Sequence, residues 1–354
     1  PLYIDATTGK NRADRIIESI EKVSGALVMY QAVQSLDEDV LRNIKRQNIK
    51  VETYEEVQVH VRGRGLRSSS DTILCLPGAT LATHVETIRK LINSGTHTMN
   101  NNQLGLLKGS ELETQESREK FQFESKFRLL PKNFGTYDGE KVLGSEETVV
   151  QTQTLSFNDY LQARKYHLAV SIFWNESRFT ELVNFIEQLG FEKFDWLSAI
   201  VNVMEDANED VTKLVSDFMN ETQKELFDSP EEVIEYYSRD ENFEKLMRSE
   251  AGDNLIYSYR GRASFQIWPA ICECAFAATY PLIVEKLGED TREQFAQLWD
   301  DLCKYLYSRH AHGSTADEIL SKCLVSNNPI QVTGCWLKIT NVHVPFSTSG
   351  LESI

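Results

Sequence analysis

The stretch Leu27-Val-Met-Tyr-Gln-Ala-Val-Gln-Ser-Leu-Asp-Glu-Asp-Val-Leu-Arg-Asn-Ile-Lys-Arg46 carries the reading of the fold. It begins as a buried strand that stops at the polar pair Gln34-Ser35, and Asp37 then opens a helix with Val40, Leu41 and Ile44 on one face. Polar residues thus sit where a strand ends. Ligands of parallel α/β architectures bind at the carboxyl ends of strands, which places Gln34 and Ser35 for ligand contact. Ser35 or Asp37 could also cap the following helix without touching a ligand, and taken alone the cap is the simpler reading.

The flanking segments extend the pattern. Leu2 to Ala6 reads as a short strand, followed by the turn Thr7-Thr-Gly-Lys-Asn11 and a helix from Arg12 to Val23. Ser70 to Thr80 reads as a strand and turn leading into a helix with Val85, Ile88, Leu91 and Ile92 inward, and Thr98 to Ser110 supplies a fourth strand. Strands and helices alternate, the signature of a parallel sheet or barrel of βα units.

Three segments, Val33-Gln-Ser-Leu-Asp37, Ile73-Leu-Cys-Leu-Pro-Gly78 and Leu104-Gly-Leu-Leu-Lys-Gly-Ser-Glu-Leu112, in this order and spacing, resemble the second half of a radical S-adenosylmethionine (radical SAM) barrel. The similarity is to the group that often carries an N-terminal cobalamin-binding domain, and it covers about residues 1 to 175. It implies a partial (βα) barrel of radical SAM type, a form of TIM barrel, whose cofactor contacts fall at Lys10, Asn11, Gln34, Ser35, Arg46, Leu74, Leu76 and Leu104. The pattern departs from the family at Cys75, usually glycine, at Ala79, usually acidic, and at Lys108, usually proline. The Cys-x3-Cys-x2-Cys loop that holds the family's [4Fe-4S] cluster is absent, and it would precede Pro1; the resemblance therefore implies a C-terminal fragment of a longer protein, inactive alone.

Composition bounds the rest. The 354 residues are enough for two domains, and 41% hydrophobic with 25% charged residues is ordinary for a globular protein. A net charge of −16 argues against a nucleic-acid surface, and the chain has neither a run of 18 apolar residues nor a signal peptide, so neither nucleic acid nor membrane is an expected partner. The six cysteines show no disulfide framework. Cys272 and Cys274 read as core residues, and a reducing, cytoplasmic setting is expected, in keeping with the family's oxygen-sensitive cluster.

Glu113 to Asp138 reads as a polar connection with a charged helix turn, and Val149 to Thr154 as a short strand or extended link. The expected division is a barrel part with extension at 1–150 and a mostly α-helical domain at 151–354, with helices opened at Ser156 and Ser229, one closed at Gly190, and a nearly all-apolar one from Ile267 to Leu287. Another helix is expected around Phe295 to Leu306 and a terminal hairpin between Ile330 and Val344. Chemistry is sparse in this half. His310 and His312 lack a third ligand in register, His167 reads as a packing or hydrogen-bonding residue, and Tyr257 to Arg262 could meet an anion or bond to helix ends.

Two functions of different classes follow. The first is an enzyme whose parent generates a 5′-deoxyadenosyl radical from SAM on a [4Fe-4S] cluster, for C–H activation of a small-molecule substrate or for methyl transfer with cobalamin as a further cofactor. The second is a non-catalytic radical SAM-like protein whose helical domain binds a partner.

Overall fold

The computed structural model describes Ile4 and residues 13–23, 26–48 and 51–288. Lys10 and Asn11, the expected helix around Phe295, His310, His312, Cys303, Cys323, Cys335 and the expected terminal hairpin lie outside these residues. The described chain is mixed α/β. Helix α1 (Ala13–Lys22) buries Ile17 and Ile20 against Met29, Val57, Val61 and Leu66. A parallel sheet of order β1-β2-β3 follows from β1 (Met29–Tyr30), β2 (Ser68–Leu74) and β3 (Thr98–Gln103). Ile4 adds one parallel bridge to Leu27, and Gln34 rejoins β2 through a bridge to Thr72. The connections are helical, with α2 (Glu38–Asn43) and α3 (Val51–Gly63) between β1 and β2 and α4 (Leu81–Asn93) between β2 and β3.

Local chemistry fixes these boundaries. The Asp37 carboxylate accepts from the amides of Asp39 and Val40, both at 3.0 Å, so Asp37 is the cap of α2. Thr80 opens α4 with a capping box to Thr83. Strands of a covered parallel sheet are usually apolar runs, whereas β2 and β3 are polar. Their polar groups bond one another: Ser70 Oγ donates to the Gln31 carbonyl (2.6 Å), Thr72 Oγ1 to Asn101 (2.7 Å), and Asn100 to Asp71 (3.0 Å).

After α5 (Gln115–Phe121) the chain forms a long antiparallel hairpin, β4 (Glu124–Tyr137) and β5 (Glu140–Gln151), where the sequence reading expects a polar connection and a short strand. Pro131 and a register shift between Leu129 and Phe134 break the period-two alternation that would reveal β4. The turn is Asp138-Gly139, with φ of +51° and +84°, the geometry of a type I′ hairpin. The hairpin continues from the parallel sheet. Gly105 bridges Thr148, the Leu106 amide donates to Glu147 O (2.9 Å) and the Val149 amide to Leu104 O (2.8 Å). Leu74, Leu76, Leu104, Val149, Val150 and Tyr160 share the buried cluster beneath this junction.

Helix α6 (Phe157–Ala169) starts at Ser156 with a capping box to Asp159, packs on α4 and runs into a π-helical turn at Val170–Trp174. Then follow α7 (Thr180–Gln188), α8 (Lys193–Val203), α9 (Glu209–Lys224), α10 (Pro230–Ser238), α11 (Asp240–Met247), α12 (Leu255–Phe265) and α13 (Trp268–Leu287). The described residues up to Glu176 with Asp217–Ser258 make one compact unit, and Ser177–Ser216 with the described residues from Tyr259 onward make another. The helices after residue 150 are therefore divided between the two units. In the first, Val233 of α10 with Phe243 and Leu246 of α11 buries Leu129 of the hairpin. In the second, Phe179 packs against the rings of Trp196 and Trp268, and Trp196 Nε1 donates to Thr279 Oγ1 (2.8 Å). Cys272 and Cys274 of α13 are both buried thiols. Among the described residues no single helix is long and apolar enough to cross a membrane.

Gly139 has open space around the position of a Cβ, so a side chain there meets only the backbone cost of positive φ. Gly139→Ala is expected to lower unfolding free energy by about 1 kcal/mol and Gly139→Asn by much less, read from urea midpoints. Equal midpoints for the two variants contradict the turn assignment.

His84 and His167 are buried and share a hydrogen bond between Nε2 atoms (2.8 Å). Burial pushes His84 down to about 4 from its ordinary 6.5; burial, then the His84 charge, pushes His167 well below that ordinary value. The unfolded chain therefore binds more protons than the folded chain once pH drops below about 6.5, and stability falls with pH in that window. Urea midpoints between pH 7.5 and 5 should decline, with a shallower slope in His84→Gln; a wild-type slope matched by the variant refutes the assignment.

Candidate functional site

The carboxyl ends of the parallel strands frame an open cavity of about 520 Å³. Gln34 follows β1, Ile73 and Leu76 come from the end of β2, and Leu104 follows β3, while Ile44, Lys45, Arg46 and Gln47 enter after α2 and Leu112 closes the rim. One wall is thus apolar and the other polar and cationic. This is the division that a ligand with an apolar ring system and a charged end requires.

Gln34 is held in the left-handed region (φ +62°) by ladder bonds on both sides, its amide donating to Asp71 O (2.8 Å) and its carbonyl accepting from the Ile73 amide (2.9 Å). Its side chain is left for the cavity. Arg46 is anchored rather than free: one guanidinium nitrogen donates to the Ala32 carbonyl and Nε donates to Asn48 Oδ1 (3.0 Å). Asn48 in turn donates to the carbonyls of Val33 (2.7 Å) and Ser35 (2.8 Å). Arg46 and Asn48 therefore clamp the strand end that carries Gln34. Partial burial lowers the Arg46 pKa, with Asp71 acting in the opposite sense. Two of its five N–H donors are used in these bonds, which leaves donors for an anionic group.

The Leu76-Pro77-Gly78 turn is shaped by backbone constraints. Cys75 adopts φ +64°, a conformation in which glycine is favoured, and glycine is what the resembled family has there. Gly78 has φ +83° and lies so close to α2 that a Cβ would stand 2.6 Å from Asn43 Nδ2, the atom that donates to the Pro77 carbonyl (3.0 Å). The Cys75 thiol is fully buried, and desolvation raises its pKa.

Of the residues that the sequence reading singles out, the structure brings Gln34, Arg46, Leu76 and Leu104 around this cavity. Leu74 points instead into the core, because the alternation of β2 puts it opposite Ile73, which does line the cavity. Ser35 is buried outside the lining, its hydroxyl accepting from the Asp37 amide (3.1 Å). Ala79 belongs to the core cluster and Lys108 to an exposed turn, so neither departure from the family pattern removes a lining group. Sequence reasoning missed Ile44, Lys45, Gln47, Ile73 and Leu112; strand parity was the available signal for Ile73. Among the described residues no three His, Cys, Asp or Glu side chains converge as metal ligands.

Asn48→Ala removes donors from two strand-end carbonyls and the acceptor of Arg46 Nε. A loss of about 1–3 kcal/mol in unfolding free energy is expected, with faster hydrogen exchange confined to residues near 31–36. Unchanged exchange in that stretch contradicts the clamp.

No protein-family model matches the chain. A stretch of 206 residues is 25% identical to the cobalamin-dependent radical SAM methyltransferase TokK of Streptomyces tokunonensis, covering 55% of this chain and 29% of that protein. The chain's match thus spans under a third of the length of this curated relative. It supports a distant relationship to the radical SAM proteins.

Proposed function

We propose that this chain supplies the SAM-facing strand ends of a radical SAM barrel, in a protein that uses SAM for C–H activation or cobalamin-dependent methyl transfer. The observation that carries the reading is the cavity at the parallel strand ends, polar at Gln34 and Arg46 and apolar at Ile73, Leu76 and Leu104. The distant similarity to TokK points the same way. A volume of about 520 Å³ falls within the range of small-molecule sites.

The donor set fits SAM. Arg46 would meet the methionyl carboxylate, Gln34 would hydrogen-bond a polar group of the ligand, and Ile73, Leu76 and Leu104 would cover the adenine and exclude water from it. Bound SAM supplies a transferable methyl group or, when cleaved by one electron, a carbon radical. This chain's own share is to bind and orient SAM. The residues do not fit a [4Fe-4S] cluster. Cys75 and the Cys272–Cys274 pair are buried in different units, and no Cys-x3-Cys-x2-Cys spacing occurs, so no step through a cluster is derived.

The test is equilibrium binding of SAM to the purified 354-residue chain by calorimetry. Saturable binding is expected, weakened about tenfold or more by Arg46→Ala and by Leu76→Asp, with S-adenosylhomocysteine competing. Absence of binding, or affinity indifferent to both substitutions, overturns the assignment.

A further inference from the structure

A second cavity, about 70 Å³, lies beside β3 within the first unit and is built from buried polar side chains. Three of them stand on one stripe of α6 and its π-helical continuation: Arg164, His167 and Ser171, with 2%, 0% and 3% of their surface exposed. Each carries a polar atom that bonds to nothing in the protein: Arg164 Nε, His167 Nδ1 and Ser171 Oγ. One orphaned buried polar group is uncommon; three lining one small cavity are a binding arrangement awaiting its complement.

The surroundings define that complement. Gln103, with its amide oriented to donate to Tyr160 OH, accepts from Arg164 Nη1 (3.2 Å) and from Arg128 Nη1 (2.8 Å). Arg128 also bonds Glu146 (2.7 Å) and Glu225 (3.2 Å). Arg164 has no carboxylate at hydrogen-bond distance; it feels Glu225 and the like charge of Arg128 only through space, and the Phe218 ring lies 5.4 Å from its guanidinium carbon. Both glutamates keep part of their surface in solvent, 28% and 19% of the side chain, whereas Arg164 is sealed in. A buried guanidinium without a hydrogen-bonded anion is costly, and water cannot neutralise it. The histidine pair adds direction. If His84 donates across the Nε2–Nε2 bond, His167 carries its proton on Nδ1, and Arg164 Nε–H, His167 Nδ1–H and the Ser171 hydroxyl are then three donors.

We propose that this cavity is a binding site for one carboxylate group, which accepts hydrogen bonds donated by Arg164 Nε–H, Ser171 Oγ–H and His167 Nδ1–H. A carboxylate is planar, carries one charge, and offers enough lone pairs for all three donors. The site is distinct from the cavity at the strand ends, with which it shares no lining residue, so the inference does not rest on the SAM assignment.

The experiment is thermal unfolding of the full chain at pH 7.5 against increasing sodium acetate, with sodium chloride at matched ionic strength and with acetamide, the neutral isostere. Acetate is expected to raise the midpoint in a saturable manner beyond chloride, and acetamide is not. Apparent acetate affinity should fall about tenfold in Arg164→Gln and severalfold in Ser171→Ala. Should Arg164→Gln fail to fold, Ser171→Ala together with the acetamide arm decides. A homologous series separates the sources of the carboxylate: acetate alone marks a small free acid, while butyrate and hexanoate binding as well marks the end of a longer molecule. No acetate effect beyond chloride, an equal effect from acetamide, or a Ser171→Ala chain with unchanged acetate affinity overturns the proposal, leaving a water-filled cavity.

Discussion

The outer edge of β3 is the constraint on which the first unit depends. A strand at the margin of a parallel sheet presents backbone donors and acceptors that must find partners where water is excluded. The chain meets this demand in two ways along one edge. At the start of β3, Asn175 acts as a substitute strand, its Oδ1 accepting from the Met99 amide and its Nδ2 donating to the Met99 carbonyl, both at 2.9 Å. Beyond its end, Leu104 and Leu106 pair with β5, which joins the sheet to the hairpin. The Asn175 bonds, the join to the hairpin and the polar cavity all lie along this edge.

The two cavities occupy chemically different ground as a result. The larger one opens at the strand ends, where loop backbone is pinned by Arg46 and Asn48 and apolar side chains project past the last ladder bonds. The smaller one lies along the strand's flank, roofed by a helix whose inward stripe is cationic and imidazole-bearing instead of aliphatic. Polar strands serve both places. Asp71 and Thr72 of β2 pair with Asn100 and Asn101 of β3 in rows that a purely aliphatic sheet would fill with valine and isoleucine.

Local signals in the sequence were legible where a single residue carries the physics. Asp37, Ser156 and Ser229 cap helices because their side-chain oxygens reach free amides within three residues, and Gly190 follows α7 at φ +88°. The Gln34 strand end and the Leu76 turn could be read for the same reason, since their polar-to-apolar switch is local. What remained hidden depends on distance. The Asp138-Gly139 turn was a usable hairpin signal, but the bulged strand around Pro131 masked the alternation leading to it. The return of Asp217–Ser258 to the first unit uses long-range contacts, the Phe127–Phe227 backbone pair and the Leu129–Val233–Leu246 cluster, which no window of sequence contains. Arg128 and Arg164 look like surface charges until the fold encloses them.

The π-helical turn at Val170–Trp174 ends the α6 segment, and the chain leaves the helix at Asn175 (φ −58°, ψ 147°). An α-helix advances about 100° per residue, so one additional residue in a turn rotates all later positions by about that angle while leaving the earlier stripe in place. Arg164 and His167 belong to the earlier phase, and Asn175 to the later one. Here the wider turn lets one continuous segment face the cavity with its first half and seal the strand edge with its last residue. With an ordinary α-helical turn there, β3 would have to be closed by a different side chain, and the two tasks would no longer be joined in one segment.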